Sequence, residues 1–285
     1  MKTINPLLIA ALGFALLLPP LQAQDTDAKN PGILVGPGTG KLGTVAQIAV
    51  PEGFILLDAK TTRAMMKKMG DRVSGDELGY LRNTNSDWAV FFEFSQIGYV
   101  KEDDKDKLDA GKLLDSYKRG TAEANKDRES AGRPPIIIVG WEQEPKYDSE
   151  SHNLTWCLRA TSEGHAFLNY NTRLLGRKGV MKVVLVCDPE DLAKTLPAFN
   201  GLLANHKFLT GESYAEYRPG DKVAKYGLAA LVLGGAAVGA AKLGLLAWVL
   251  PFLKKGWILI VAAIAAAANF FKKLFGKISG RKSDE

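Results

Sequence analysis

The feature that most constrains this chain is its apolar C-terminal part. Residues 226–250 form one hydrophobic stretch interrupted by Lys242, and a second run at 256–271 follows the pair Lys254 and Lys255. As a helix, residues 226–242 would rise about 24 Å at about 1.5 Å per residue. Lys242 would then lie near the far side of a hydrocarbon core about 30 Å thick, where its ammonium can snorkel to water. Trp248 and Trp257 suit the membrane–water interface. We read 226–250 as a transmembrane helix and 256–271 as a second membrane segment. The latter is a second span, a re-entrant turn or an interfacial helix, and 272–285 form a basic tail. Gly235 and Gly239 have the spacing that lets another helix approach closely. The partners expected here are therefore the lipid bilayer and either an envelope protein or a second copy of the chain.

The N-terminal end fits the same location. Lys2 precedes a 12-residue apolar run at 7–18, Pro19 and Pro20 break it, and Ala23 suits a cut before Gln24. Residues 1–23 read as a signal peptide; the alternative is an uncleaved N-terminal anchor, for which the run is short. The net charge of +6 agrees. Residues 221–285 hold ten Lys or Arg and three acids, while 24–220 hold 26 and 28. The positive excess flanks apolar segments, as membrane topology signals do. A nucleic-acid footprint needs a basic folded surface, so nucleic acid is not an expected partner. The expected location is a membrane, with the main domain on its extracytoplasmic side.

Residues 24–43, rich in Gly, Pro, Asp and Thr, read as a linker or an irregular entry segment. The stretch from Gly36 to Lys41 imitates a phosphate loop, but Val35 stands where the first Gly belongs and Leu42 where a Ser or Thr would hold magnesium. Residues 44–220 read as the exported domain. Strand-like segments at 44–50, 54–58, 78–82, 88–94 and 97–100 surround a short helix at 61–69. An amphipathic helix follows at 109–129, with Leu113, Tyr117 and Thr121 on its apolar face. Segments 136–144, 152–161, 166–175 and 179–187 have the short connections of an antiparallel meander. A helix starting after Asp188, with Pro189 at its first position, closes the domain. The expected fold class is α+β: an antiparallel sheet, with a four-strand meander and smaller N-terminal strands, packed by helices.

Residues 140–180 carry the most distinctive motifs: Gly140-Trp141, Pro145-x-Tyr147-Asp148, Leu154-x-Trp156, Asn169-Tyr170 and Leu175-Gly176-Arg177-x-Gly179. With Pro51-x-Gly53-Phe54, Tyr217-x-Pro219-Gly220 and the Gly/Ala-rich tail, this order resembles a bacterial family of membrane-anchored proteins catalogued as domain of unknown function 2167. The resemblance covers nearly the whole chain after the leader and implies a membrane-anchored domain with no established activity, placed by that bacterial resemblance at the inner membrane with the main domain on the periplasmic side. The helix–meander–helix order also resembles the layered domains of the photosystem-II oxygen-evolving P subunit.

Candidate chemistry is sparse. Trp141, Tyr147 and Trp156 could floor a pocket or simply pair across strands, and Asp148 suits a turn. Asn169, Arg173 and Arg177 fall on one alternating face and could hold a carboxylate or phosphate, or form a solvated face with surface ion pairs. Cys157 and Cys187 would lie in an oxidising compartment, but the strand between them places them about two sheet spacings of 4.8 Å apart. The compartment would permit a bridge, but the spacing exceeds the usual disulfide limit of about 7 Å between Cα atoms and argues against one. His152, His165 and His206 lack metal-site spacing, and Leu108 spoils the acidic segment 101–109 as a calcium loop. No cofactor is expected. The main functional expectation is a non-enzymatic binding or interaction module tethered to the membrane. The alternative is a membrane-bound hydrolase or transferase acting on an envelope anion.

Overall fold

The computed structural model describes residues 32–233, apart from residue 72. Alternation of apolar residues produces eleven described strands, eight of them in one antiparallel sheet. They are β1 (Ile33–Val35), β2 (Gly38–Leu42), β3 (Ala46–Val50), β4 (Phe54–Asp58), β5 (Glu77–Asn83), β6 (Ala89–Ser95), β7 (Ile137–Asp148), β8 (Asn153–Ser162), β9 (His165–Leu175), β10 (Val180–Cys187) and β11 (His206–Phe208). The large sheet runs β1-β4-β5-β6-β10-β9-β8-β7, and β11-β3-β2 form a second, small sheet. The C-terminal half of the large sheet is the expected meander, with β8, β9 and β10 paired in sequence order.

Helix starts are set by carboxylates. Asp58 accepts the Thr61 amide at the start of α1 (Ala59–Lys68), and Asp109 accepts that of Lys112 at the start of α2 (Ala110–Ser130); each satisfies an otherwise orphaned donor. In α2 the buried side chains Leu113, Tyr117, Thr121 and Arg128 recur at helical spacing and make one stripe. The other α-helices among the described residues are α3 (Leu192–Ala204) and α4 (Leu228–Val232).

The sheet separates two apolar clusters. Leu113 and Tyr117 of α2 pack with Phe91, Trp156, Leu158 and Val186 on one face, joined by Leu228 and Leu231 of α4. Phe199 and Leu202 of α3 and Leu42 and Ile48 of the small sheet cover Leu168, Tyr170, Val183 and Leu185 on the other. Strand β9 lies between them, and nearly all of its side chains are buried. The fold is α+β, with an antiparallel sheet and helices packed on it.

Three sequence expectations need correction. The range 24–43 contains β1 and β2, so a linker reading fails from Gly32 onward. Residues 97–100 are not a strand: Tyr99 makes one isolated parallel bridge to Val223. Finally, residues 228–232 of the expected transmembrane helix belong to the domain core. Leu228 and Val232 are fully buried, Tyr117 Oη donates to the Val232 carbonyl at 2.6 Å, and Asp104 accepts the amides of Leu228 and Ala229 at 3.0 and 3.2 Å. A Cβ at Gly227 would collide with that Asp104 carboxylate. Burying each such side chain favours docking by about 1.5–3 kcal/mol. No helix among the described residues is long and apolar enough to cross a membrane. The leader at 1–23, Gly235, Gly239 and the segments at 234–250, 256–271 and 272–285 lie outside the described residues.

Candidate functional site

The seven residues singled out in the sequence do not converge. Trp141, on the edge strand β7, donates Nε1–H to the Ala110 carbonyl at 2.9 Å and meets Tyr117 edge-on at 5.8 Å, so it fixes the start of α2. Asp148 closes the β7–β8 turn, accepting from Ser151 Oγ at 2.6 Å and the Glu150 amide at 3.0 Å. Those bonds, from Ser151 foremost, hold its carboxyl below the usual range. Trp156 is 0% exposed, and the Arg173 guanidinium lies 4.5 Å from its ring centroid.

Asn169 and Arg173 do share a face of β9, but it is the face beneath α2, and both are buried. Arg173 is 1% exposed and donates to the Thr172 carbonyl at 3.2 Å and to Asn171 Oδ1 at 3.4 Å. Burial lowers its pKa to about 10, where it still carries its charge near neutral pH. Arg177 lies beyond the end of β9 and grips Asp221 through Nε and Nη2 at 2.7 and 2.8 Å. The expected pair of anion-binding arginines is therefore divided: one is enclosed in the core and the other ties down the segment leading to α4.

The groups that do converge lie on the opposite face, at one end of the sheet. There a cleft of about 550 Å³ opens between strands β8 and β9 on one side and α3 and β11 on the other. Thr155, Tyr170, Thr172 and Leu174 line the sheet side; Asn200, Leu203, His206 and Phe208 line the other. These strand residues point there because alternate side chains of β8 and β9 face α3. Seven side-chain polar atoms are buried without a hydrogen-bond partner among the described residues, and two of them, Thr172 Oγ1 and His206 Nε2, belong to residues that line this cleft. Burial lowers the His206 pKa to about 4, so its ring is neutral near pH 7.

His152, Ser213 and Tyr214 line the same cleft. His152 has φ +53°, a left-handed conformation that costs a non-glycine residue about 1–3 kcal/mol. It is held by Glu102 Oε1, 2.7 Å from Nδ1, and by the Tyr214 ring at 4.5 Å. The Tyr147 hydroxyl approaches the same Nδ1 at 3.5 Å. Burial would raise Glu102, but hydrogen bonds from Tyr147 and His152 outweigh it and leave the carboxyl below its ordinary value. Burial, followed by the Glu102 hydrogen bond, raises the Tyr147 hydroxyl. Tyr99 stacks on Tyr214 at 4.3 Å and lies 4.2 Å from Tyr217, fixing the segment that forms this rim.

Sequence reasoning missed Thr172, His206, Glu102 and Tyr214. A signal for Thr172 did exist: positions 168, 170, 172 and 174 of β9 read Leu-Tyr-Thr-Leu, with one hydroxyl at an inward position. His206 and Glu102 reach the site only through packing. Cys157 and Cys187 are free and buried, on strands separated by β9, and burial raises both thiols to about 12. No cluster of three or more metal-ligating side chains occurs among the described residues.

The fold and cleft define a layered α+β domain with a ligand-sized recess between its large sheet and α3. By sequence, the chain belongs to the family described as "Protein of unknown function (DUF2167)", whose model matches residues 35–265. No curated protein matches the sequence. Similar solved structures include the solution structure of cyanobacterial PsbP (CyanoP) from Synechocystis sp. PCC 6803, at 11% identity and a TM-score of 0.39, covering 67% of this chain and 100% of that one. They also include the Ran-binding protein Mog1p of Saccharomyces cerevisiae, at 10% identity and 0.31, covering 65% and 100%.

Proposed function

We propose that this protein is a membrane-tethered binding module, an exported α+β domain that holds a small ligand in the cleft between β8–β9 and α3–β11. The observation that carries the reading is that two residues lining one cleft, Thr172 and His206, each hold a buried, unpartnered polar atom, Oγ1 and Nε2. Leaving a polar group buried and unsatisfied costs about 1–3 kcal/mol, a cost that a ligand supplying the missing partner removes. The cleft volume falls within the ~300–1,000 Å³ of small-molecule sites. The leader-like N-terminus and the apolar C-terminal part support tethering at the inner membrane with the domain on the periplasmic side.

Two measurements test this. Thermal-shift screening of the full chain against neutral and charged small molecules of the cell envelope should yield a compound that raises Tm for the wild type but not for Ala204→Trp, which plugs the cleft from the exposed end of α3. If no compound acts, the binding reading fails. Lys126→Cys, exposed on α2, should react with a membrane-impermeant maleimide in cells whose inner membrane is intact. Labelling that appears only after that membrane is broken would reverse the proposed side.

The Glu102–His152 pair favours one second reading, a hydrolase or transferase in which Glu102 orients His152 for proton transfer. The arginine face that suggested an anionic substrate is not assembled. Under this reading, a compound bound in the cleft is turned over by the wild type, and His152→Gln binds it without turnover. Binding without turnover by either protein removes the reading.

A further inference from the structure

Building on the binding reading, the chemistry of the cleft also narrows its ligand. No Asp, Glu, Lys or Arg side chain lines it. His206 is neutral near pH 7, and His152 is backed by the carboxylate of Glu102. A charged ligand would lose its hydration here without a free counter-charge. A purely apolar ligand would leave Thr172 Oγ1 and His206 Nε2 without partners and would cover the amide of Asn200 as well. The occupant must therefore be uncharged and rich in hydrogen-bonding groups.

The polar groups present are chiefly hydroxyls, amides and neutral imidazole, each able both to donate and to accept. Ligand hydroxyls match that set because they too can reverse direction. Tyr170, Phe208 and Tyr214 add aromatic rings, whose apolar bodies can pack against C–H faces while their neighbours bind hydroxyls. A peptide would instead seek a run of unpaired backbone. Both long strands of the cleft are already paired on each side, and β11, at the edge of the small sheet, has three residues. We propose that the cleft binds a neutral polyhydroxylated ligand, a saccharide, with Thr172, Asn200 and His206 bonding its hydroxyl groups.

The test uses the full chain in a non-glycosidic detergent, because maltoside or glucoside detergents carry the proposed ligand class. Ligand-observed saturation-transfer NMR would compare cellobiose and diacetylchitobiose with glucose 6-phosphate and a blocked alanine tripeptide. At least one neutral disaccharide should bind. Thr172→Val and His206→Phe should each weaken it about tenfold or more, the scale of one lost buried hydrogen bond. Asn200→Leu, exposed on α3 and so harmless to folding, should weaken it several-fold. Neutral sugars that bind equally well to all three variants would overturn the assignment. So would binding by the phosphate sugar or the tripeptide alone, although either would leave the binding module standing. Silence from every probe overturns the saccharide. The module itself falls only if the wider thermal-shift screen is silent too.

Discussion

Beneath α2, the large sheet encloses Arg173, Asn169 and Asn171 and carries the partly buried pair Lys182–Glu93 at 3.3 Å. Beneath α3, the same strands present Thr155, Tyr170 and Thr172 to a cleft without a formally charged lining. The contrast is sharpest on β9, where Arg173 and Thr172 are neighbours that point opposite ways. Charge here has been folded inward, where it is stacked, hydrogen-bonded or paired, while the accessible recess is neutral. Charged residues alone are thus a poor guide to the ligand site in this domain. The better guide is an unpartnered polar atom on a residue that lines an open recess, as in Thr172; Trp156 Nε1 and Asn169 Oδ1 also lack partners but lie in the closed core beneath α2.

Substitutions can break this contrast at several points. The largest effect belongs to the α2 face: Trp156→Ala should cost about 3–5 kcal/mol, the usual range for a fully buried tryptophan, read from urea unfolding of the full chain. A loss below about 1 kcal/mol would mean that this face is not the packed one.

Acid should act next, and on the cleft face. Because folding lowers the His206 pKa from 6.5 to about 4, the unfolded chain takes up this proton first. Stability from this group is fully present above pH 6.5, falls between pH 6.5 and 4, and changes no further below that. The total is at most about 3 kcal/mol. His206→Phe should flatten that part of the stability–pH curve, and an unchanged slope would show that the ring is solvated.

Tyr117→Phe removes the hydroxyl bonded to the buried Val232 carbonyl and should cost about 1 kcal/mol. A parallel loss of protection at the amides of α4 in hydrogen exchange would confirm that the cost falls there. Thr172→Val should change least. Its stability should hold or rise by up to about 1 kcal/mol, since an unsatisfied hydroxyl is replaced by a group of similar shape. A marked loss would mean that the hydroxyl is already satisfied and would weaken the case for a ligand.

Much of the large sheet was legible because β8, β9 and β10 alternate cleanly and their turns are short. The two strands hidden in the apparent linker were not. Gly38 and Gly40 weaken β2 as a local strand signal, and their value appears only in packing: a Cβ on Gly40 would strike Leu56. Helix α4 was misassigned because a membrane helix and a core helix share one composition, and the cap from Asp104, 124 residues away in sequence, leaves no trace in a hydropathy pattern. For the site, the sequence revealed which face Asn169 and Arg173 share but not what covers it. The partner of Arg177, Asp221, is 44 residues away, and only the folded chain brings the two together.

Strand β9 is one peptide layer thick, yet it borders both interiors. The Thr172 carbonyl accepts from Arg173 on one side while the Thr172 side chain faces the cleft on the other. Amides in such a strand exchange with solvent mainly when the whole domain opens, since a local fluctuation would have to uncover two cores at once. A ligand held at Thr172 would therefore rest on the last part of the molecule to come apart. Its binding would slow the slowest-exchanging amides of the protein, instead of quieting a surface loop.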